Sequence, residues 1–436
     1  MSRRRPTATQ VRHLPTRVRT WPPLGLPAHR ASSATLSSAY PFLVPPSTGV
    51  GVPIGVDALA GGAFGFDPWG LYNEGELTNP NVVLVGVVGA GKSALAKCLA
   101  YRSIAAGRRV YVPGDPKGEW STLAREVGGI VVRLGPGLPA RLNPLDAPAT
   151  ADAHGDRLRR VGAITATALG RDLRPAERSA LDAALALVER DDQIPTLPLL
   201  VEALTAPDED EARRDGLTRD QRTLDGTDLA HGLRRLVRGD LAGLFDGPTT
   251  DPLDPDAPLV VLDLSALGAE DDALAIAMTC ASGWLEAALR PGNAGTTAKR
   301  WVIYDEAWRL MRQPAVIRRL QAQWKLARAL GVANLLVLHR LSDLDAVGPE
   351  GSEARALAAG LLADCSTRIV YRQESDQLSA TAAALGLTRP ERDLLPALPR
   401  GTGLWKLPRR SHVVHHLVHP LETFVDTDHA MREEAP

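Results

Sequence analysis

Short runs dominated by apolar residues recur along this chain: Val82–Val85, Arg109–Val112, Val131–Leu134, Leu259–Asp263, Trp301–Tyr304, Asn334–Leu338 and Thr367–Arg372. Several lead into stretches rich in alanine and leucine at helical spacing, among them Ala94–Ala106 and Asp271–Leu289. Runs this short, punctuated by glycine or charge, predict buried strands of an open parallel sheet alternating with helices. From about Asp146 to Pro258 the pattern changes. Arg157–Leu169, Pro175–Glu189, Leu197–Leu204 and Thr227–Gly239 show helical periodicity without β-branched runs, broken by proline and acidic clusters. That periodicity predicts an all-α insertion, residues 146–257, between a first core segment (49–145) and a second (258–428). A basic helix over Trp308–Leu330, a short helix over Pro390–Leu395 and an edge strand over Val413–Val418 complete the expected elements. Thr367–Arg372 reads as the last core strand.

Composition adds bounds. With 436 residues and 44% hydrophobic content the chain can bury a large core, and with 4% aromatics that core must be mostly Leu, Val and Ala. A net charge of −1 argues neither for nor against a polyanionic partner, so any such contact needs a local patch. Cys98, Cys280 and Cys365 lack any C-x-x-C pairing and read as thiols of a reducing compartment. No apolar run reaches the ~18–20 residues that span a bilayer, and no signal-peptide pattern opens the chain. A cytoplasmic location is expected. Residues 1–48 are rich in Arg, Pro, Ser and Thr and hold no acid, which predicts a disordered basic tail; residues 429–436 form a flexible acidic one. The basic tail either docks on an acidic partner or anionic lipid or stays solvated.

The run Val82–Val85 delivers Gly86-Val87-Val88-Gly89-Ala90-Gly91-Lys92-Ser93, which fits G-x-x-x-x-G-K-[ST] at every fixed position. The order strand, glycine loop, helix is what phosphate binding needs. Backbone N–H groups wrap the phosphate oxygens and the helix N-terminus adds its dipole. Lys92, the first lysine of the chain, reaches the β- and γ-phosphates in such a loop, and the Ser93 hydroxyl holds Mg²⁺. Upstream, Phe66 and Trp69 serve either the nucleotide base or the core. At the next strand end, Gly114-Asp115-Pro116-Lys117-Gly118-Glu119-Trp120 places charge where ligands of parallel sheets bind. Asp115 or Glu119 holds a water or a Mg²⁺-bound water there, or the turn merely caps the helix that follows.

Trp301-Val302-Ile303-Tyr304-Asp305-Glu306 is an apolar strand ending in two acids. Beside a phosphate loop, the first acid serves the Mg²⁺ shell and the second polarises the attacking water. His339 closes another apolar run, where a polar group can sense the γ-phosphate; a structural histidine is the alternative. Arg309, Arg312, Arg318, Arg319, Lys325 and Arg328 face either a nucleic acid, a neighbouring subunit's nucleotide, or solvent.

With both acids located, the chain resembles the ATPases of type IV secretion and conjugation machines, the TraC/TraG-like branch of the HerA–FtsK superfamily. The resemblance covers about Tyr40 to Asp428. It rests on FDPW (66–69), GVVGAGKS (86–93), GDPKGEW (114–120), RLNPLD (141–146), LFDGP (244–248), IYDEAWRL (303–310) and the LGLT–RG–GLW run (385–405). It implies an α/β fold, a RecA-like P-loop NTPase core with a central, mostly parallel sheet and an all-α insertion, working as a homo-hexamer on ATP and Mg²⁺. Lys92 and Ser93 match the phosphate and Mg²⁺ ligands, Asp305 the acid of the metal shell, and Glu306 the catalytic acid. Members commonly carry Gln where this chain has His339. The implied partners are secretion or conjugation components at the inner face of the cell membrane, and DNA. Family members also carry an N-terminal docking domain where this chain has its basic tail, so either a separate polypeptide supplies that domain or docking differs. A ring ATPase uses an arginine from the neighbouring subunit, for which Arg368, Arg372 and Arg400 are the candidates.

Three functions compete. A secretion or conjugation motor requires Lys92 and Glu306 for turnover. A HerA/FtsK-like DNA translocase adds stimulation by DNA with steep salt dependence. A scaffold or switch binds ATP with negligible hydrolysis and has no need of Glu306.

Overall fold

The computed structural model describes residues 51–146, 152–190, 194–251, 254, 256–268, 271–288, 298–307, 309, 314–339 and 352–425. The expected basic N-terminal tail, the acidic C-terminal tail, and Trp308 with Leu310–Gln313 lie outside them.

Among the described residues, eleven strands form one sheet: β1 (Val52–Asp57), β2 (Ala63–Phe66), β3 (Val82–Val85), β4 (Arg109–Asp115), β5 (Ile130–Arg133), β6 (Leu259–Asp263), β7 (Arg300–Tyr304), β8 (Val332–Leu338), β9 (Thr367–Tyr371), β10 (Thr402–Lys406) and β11 (Ser411–His416). Their spatial order is β2-β1-β11-β10-β9-β3-β8-β7-β4-β6-β5. From β9 to β5 every pairing is parallel, and from β9 back to β2 every pairing is antiparallel. The fold is thus α/β with a central, mostly parallel sheet.

The apolar runs follow from burial on both faces. Val83 and Val85 of β3 pack into one core with the helices Ala153–Leu169, Pro175–Val188, Asp271–Ala288 and Pro314–Ala327. Val82 and Leu84 point the other way, into a second core with Leu95, Ala96 and Leu99 of the helix Lys92–Ala105 and Leu123 of the helix Ser121–Glu126. Residues 153–238 contain the helices Ala153–Leu169, Pro175–Val188, Leu197–Thr205, Glu209–Arg214 and Arg219–Arg238. They leave the sheet after β5 and return to β6, its parallel neighbour, and their apolar residues continue the first core. Arg318 of the helix Pro314–Ala327 donates to Asp172 at 2.6 Å, tying this helical region to the core beside a cleft of about 370 Å³.

Three expectations need correction. Thr367–Arg372 holds the last parallel strand but not the last core strand, because the buried β10 and β11 extend the sheet antiparallel. The strand near Val413 is β11, Ser411–His416, and it lies between β1 and β10, not at an edge. Its histidines His412 and His416 are buried, and His412 Nδ1 pairs with Asp57 Oδ2 of β1 at 2.8 Å. The basic helix runs from Pro314 to Ala327; Pro314 suits a first turn, where its missing N–H has no partner to lose. Phe66 and Trp69 serve the core: Phe66 packs edge-on against Trp405, and Trp69 against Trp301 while donating to the Gly331 carbonyl at 3.1 Å.

Candidate functional site

β3 and β4 follow one another in sequence, but β8 and β7 lie between them in the sheet. A parallel sheet opens a crevice outside its carboxyl ends where strand order breaks in this way. The GVVGAGKS loop, Asp305-Glu306, His339 and the GDPKGEW turn all sit at those carboxyl ends.

The loop at residues 86–93 leaves β3 and enters the helix Lys92–Ala105. Gly89 (φ 76°) and Gly91 (φ 105°) adopt left-handed conformations that side chains resist. A Cβ at Gly86 would fall 2.5 Å from Cβ of Tyr371, so the loop is pressed onto β9 where only glycine fits. Backbone hydrogen bonds fix the loop laterally: Val87 N–H donates to Arg372 O (3.1 Å) and Gly401 N–H to Ala90 O (2.9 Å). Lys92 is buried, and its ammonium donates to the carbonyls of Gly86 (2.6 Å) and Val87 (2.9 Å). Ser93 follows in the first turn, where helix N–H groups have no intrahelical acceptor.

Asp305 and Glu306 are both buried beyond the end of β7. Asp305 Oδ1 accepts the Glu306 N–H (3.0 Å) and Oδ2 accepts the Trp120 indole N–H (3.1 Å). Burial pushes the Asp305 carboxyl above the usual range, and the Trp120 N–H opposes that rise. Glu306, at φ 52°, has the only left-handed backbone outside glycine among the described residues. Such strain persists only where surrounding contacts enforce it, and it collects at functional sites. His339 Nε2 lies 2.8 Å and 2.9 Å from the two Glu306 carboxylate oxygens. An ionised carboxylate only accepts, so Nε2 carries the proton. Lys117 forms an ion pair with Glu306 Oε1.

The GDPKGEW turn joins the two halves of the site. Asp115, at the end of β4, accepts N–H bonds from Trp120 (2.8 Å) and Lys117 (3.3 Å). Burial pushes its carboxyl up to about 6, against the Trp120 N–H and reinforced by Asp305 and Asp263. Glu119 pairs at 3.1 Å with Lys97, a fully buried residue of the helix that follows the phosphate loop. Asp115 therefore organises the turn, and Glu119 grips the phosphate-loop helix. Among the candidate arginines, Arg368 lies within β9 and donates to the Leu385 carbonyl at 2.7 Å. Arg372 and Arg400 are exposed, and their own or adjoining backbone holds the phosphate loop.

Sequence reading overlooked Lys117, Trp120, Tyr371 and Lys97. The charged turn signalled the first two, but which acids they would meet depends on strand order. Among the described residues, no three His, Cys, Asp or Glu side chains form a metal-binding group, and no helix is long and apolar enough to cross a membrane.

VirB4 of Thermoanaerobacter pseudethanolicus superimposes with a TM-score of 0.72 at 24% identity, over 87% of this chain and 100% of that one. The plasmid coupling protein TrwB, in complex with the non-hydrolysable GTP analogue GDPNP, superimposes with a TM-score of 0.55 at 17% identity, over 78% of this chain and 86% of that one. TrwB in complex with ADP and Mg²⁺ gives 0.54 at 16% identity, over 78% and 85%. No protein-family model matches the sequence, and comparison with curated proteins gives no match. The chain has the P-loop NTPase fold that VirB4 and TrwB share with it.

Proposed function

We propose that the chain is a Mg²⁺-dependent ATPase motor of a conjugation or type IV secretion system, coupling hydrolysis to macromolecule transfer or pilus assembly. The observation that carries this reading is the convergence of a glycine-shaped loop with buried Lys92 and the acids Asp305 and Glu306 on one crevice. The donor set suits the ligand. Loop N–H groups and Lys92 present positive charge to a triphosphate, while Ser93 and Asp305 offer the hard oxygens that Mg²⁺ takes. Mg²⁺ would neutralise charge developing on the β- and γ-phosphate oxygens. Glu306 accepts a proton from the water whose oxygen attacks the γ-phosphorus; the bond to the β–γ bridging oxygen breaks, giving ADP and phosphate. His339, bonded to Glu306, orients that carboxylate, and Asp115 and Glu119 support the site through the turn.

The resemblance carried by the sequence motifs implies a homo-hexamer acting at the inner face of the cell membrane, with secretion components as partners. The exposure of Arg372 and Arg400 supports them over Arg368 as the arginine acting in trans. Turnover of ATP with Mg²⁺ tests the reading: Lys92→Ala or Glu306→Gln abolishes it. Wild-type rates in either variant would refute the mechanism.

A further inference from the structure

Glu306 is asked to act as a base, yet in this structure its carboxylate is engaged on both oxygens. His339 Nε2 bridges Oε1 and Oε2, and the Lys117 ammonium is paired with Oε1. A water bound for attack would compete with Lys117 for the same oxygen. His339 directly follows β8 and is 23% exposed. Lys117 is different. Its side chain is 48% exposed and it stands on a turn outside both cores, so it can withdraw without disturbing packing.

We propose that Lys117 is a positioning residue that restrains Glu306 and must leave its carboxylate before Glu306 can take the proton of the attacking water. This rests on the reading of Glu306 given above. The turn that carries Lys117 reports on the site from both sides. Glu119 holds Lys97 in the helix that begins at the phosphate-loop lysine, and Trp120 holds Asp305. Asp115 pins the turn between them through the Lys117 and Trp120 N–H groups. A shift of the phosphate-loop helix or of Asp305 therefore reaches Lys117 through direct contacts. The left-handed backbone of Glu306 belongs to the same device, since it is the residue gripped by Lys117 and His339.

The test uses the full chain. Lys117→Met raises kcat roughly three- to tenfold with KM for ATP unchanged, because binding is untouched and only the base is freed. Lys117→Arg, which keeps the cation, stays near the wild-type rate. A second readout needs no turnover. Melting of the nucleotide-free protein in a cycle of Lys117→Met and Glu306→Gln shows non-additive shifts, the signature of a formed pair. A lowered or unchanged kcat in Lys117→Met, with fluorescent ATP-analogue binding intact, overturns the restraint. Additive melting shifts overturn the pair itself. Loss of analogue binding in the wild type would instead sink the reading of the site, and this inference with it.

Discussion

The contact between Trp120 and Asp305 allows a stability measurement that isolates one charged hydrogen bond. Trp120 and Trp301 are both fully buried tryptophans, and each donates its indole N–H at 3.1 Å. The acceptor differs: Asp305, a buried carboxylate, for Trp120, and the Ser103 hydroxyl for Trp301. Replacing either by Phe removes the same atoms, and an aromatic ring is kept against Trp69 at position 301, so those losses nearly cancel on comparison. What remains is the acceptor. A hydrogen bond to a charged group contributes about 1.5–3 kcal/mol and a neutral one about 0.5–1.5 kcal/mol. Trp120→Phe should therefore destabilise by about 1 kcal/mol more than Trp301→Phe, near a fivefold difference in the unfolding equilibrium. Urea denaturation of the full chain, followed by far-ultraviolet circular dichroism, measures both. Equal losses, or a larger loss for Trp301→Phe, would refute the claim that Trp120 stabilises the charge of Asp305.

Three further outcomes follow from other contacts. Gly86→Ala forces a Cβ to within 2.5 Å of Tyr371 and displaces the phosphate loop; binding of a fluorescent ATP analogue should weaken roughly tenfold, and unchanged affinity would contradict the close packing. Burial, helped by the positive charge of Arg102, pushes the His416 imidazole down to about 4 from its ordinary 6.5. A depressed histidine stabilises the fold fully above pH 6.5, and that contribution fades as pH falls through 4. At pH 4 the loss is on the order of 3 kcal/mol, so His416→Phe should be less acid-sensitive than wild type in urea melts at pH 7 and pH 4.5. Arg318, half-exposed and paired with Asp172 at 2.6 Å, should change stability by less than about 1 kcal/mol when replaced by Ala. The same variant should leave DNA affinity unchanged, and a large drop in a filter-binding assay would return the basic helix to the nucleic-acid reading.

The sheet was legible where local pattern and burial agree. Val82–Val85 and Trp301–Tyr304 are apolar throughout because helices cover both faces, and the loop and acids that follow them are ordered by chemistry that needs adjacent residues. What a strand pairs with is not local. Histidines late in the chain suit an exposed edge, and the placement of β1 beside β11, with Asp57 against His412, is what the sequence leaves out. The same holds within the site. Lys117, Trp120, Asp305 and Glu306 meet because β7 and β4 are neighbours, a pairing no spacing along the chain reveals. His339 reads from the sequence as either a γ-phosphate sensor or a structural histidine, and its contact with Glu306 depends on β7 and β8 being neighbours.

The central claim, that this crevice binds ATP through Lys92 and hydrolyses it through Glu306, is tested most directly by separating binding from turnover. In the wild type, a fluorescent ATP analogue binds with Mg²⁺ and ATP is hydrolysed. Glu306→Gln should keep the binding and lose the hydrolysis; Lys92→Ala should lose both. Hydrolysis surviving in Glu306→Gln, or binding undiminished in Lys92→Ala, would contradict the account.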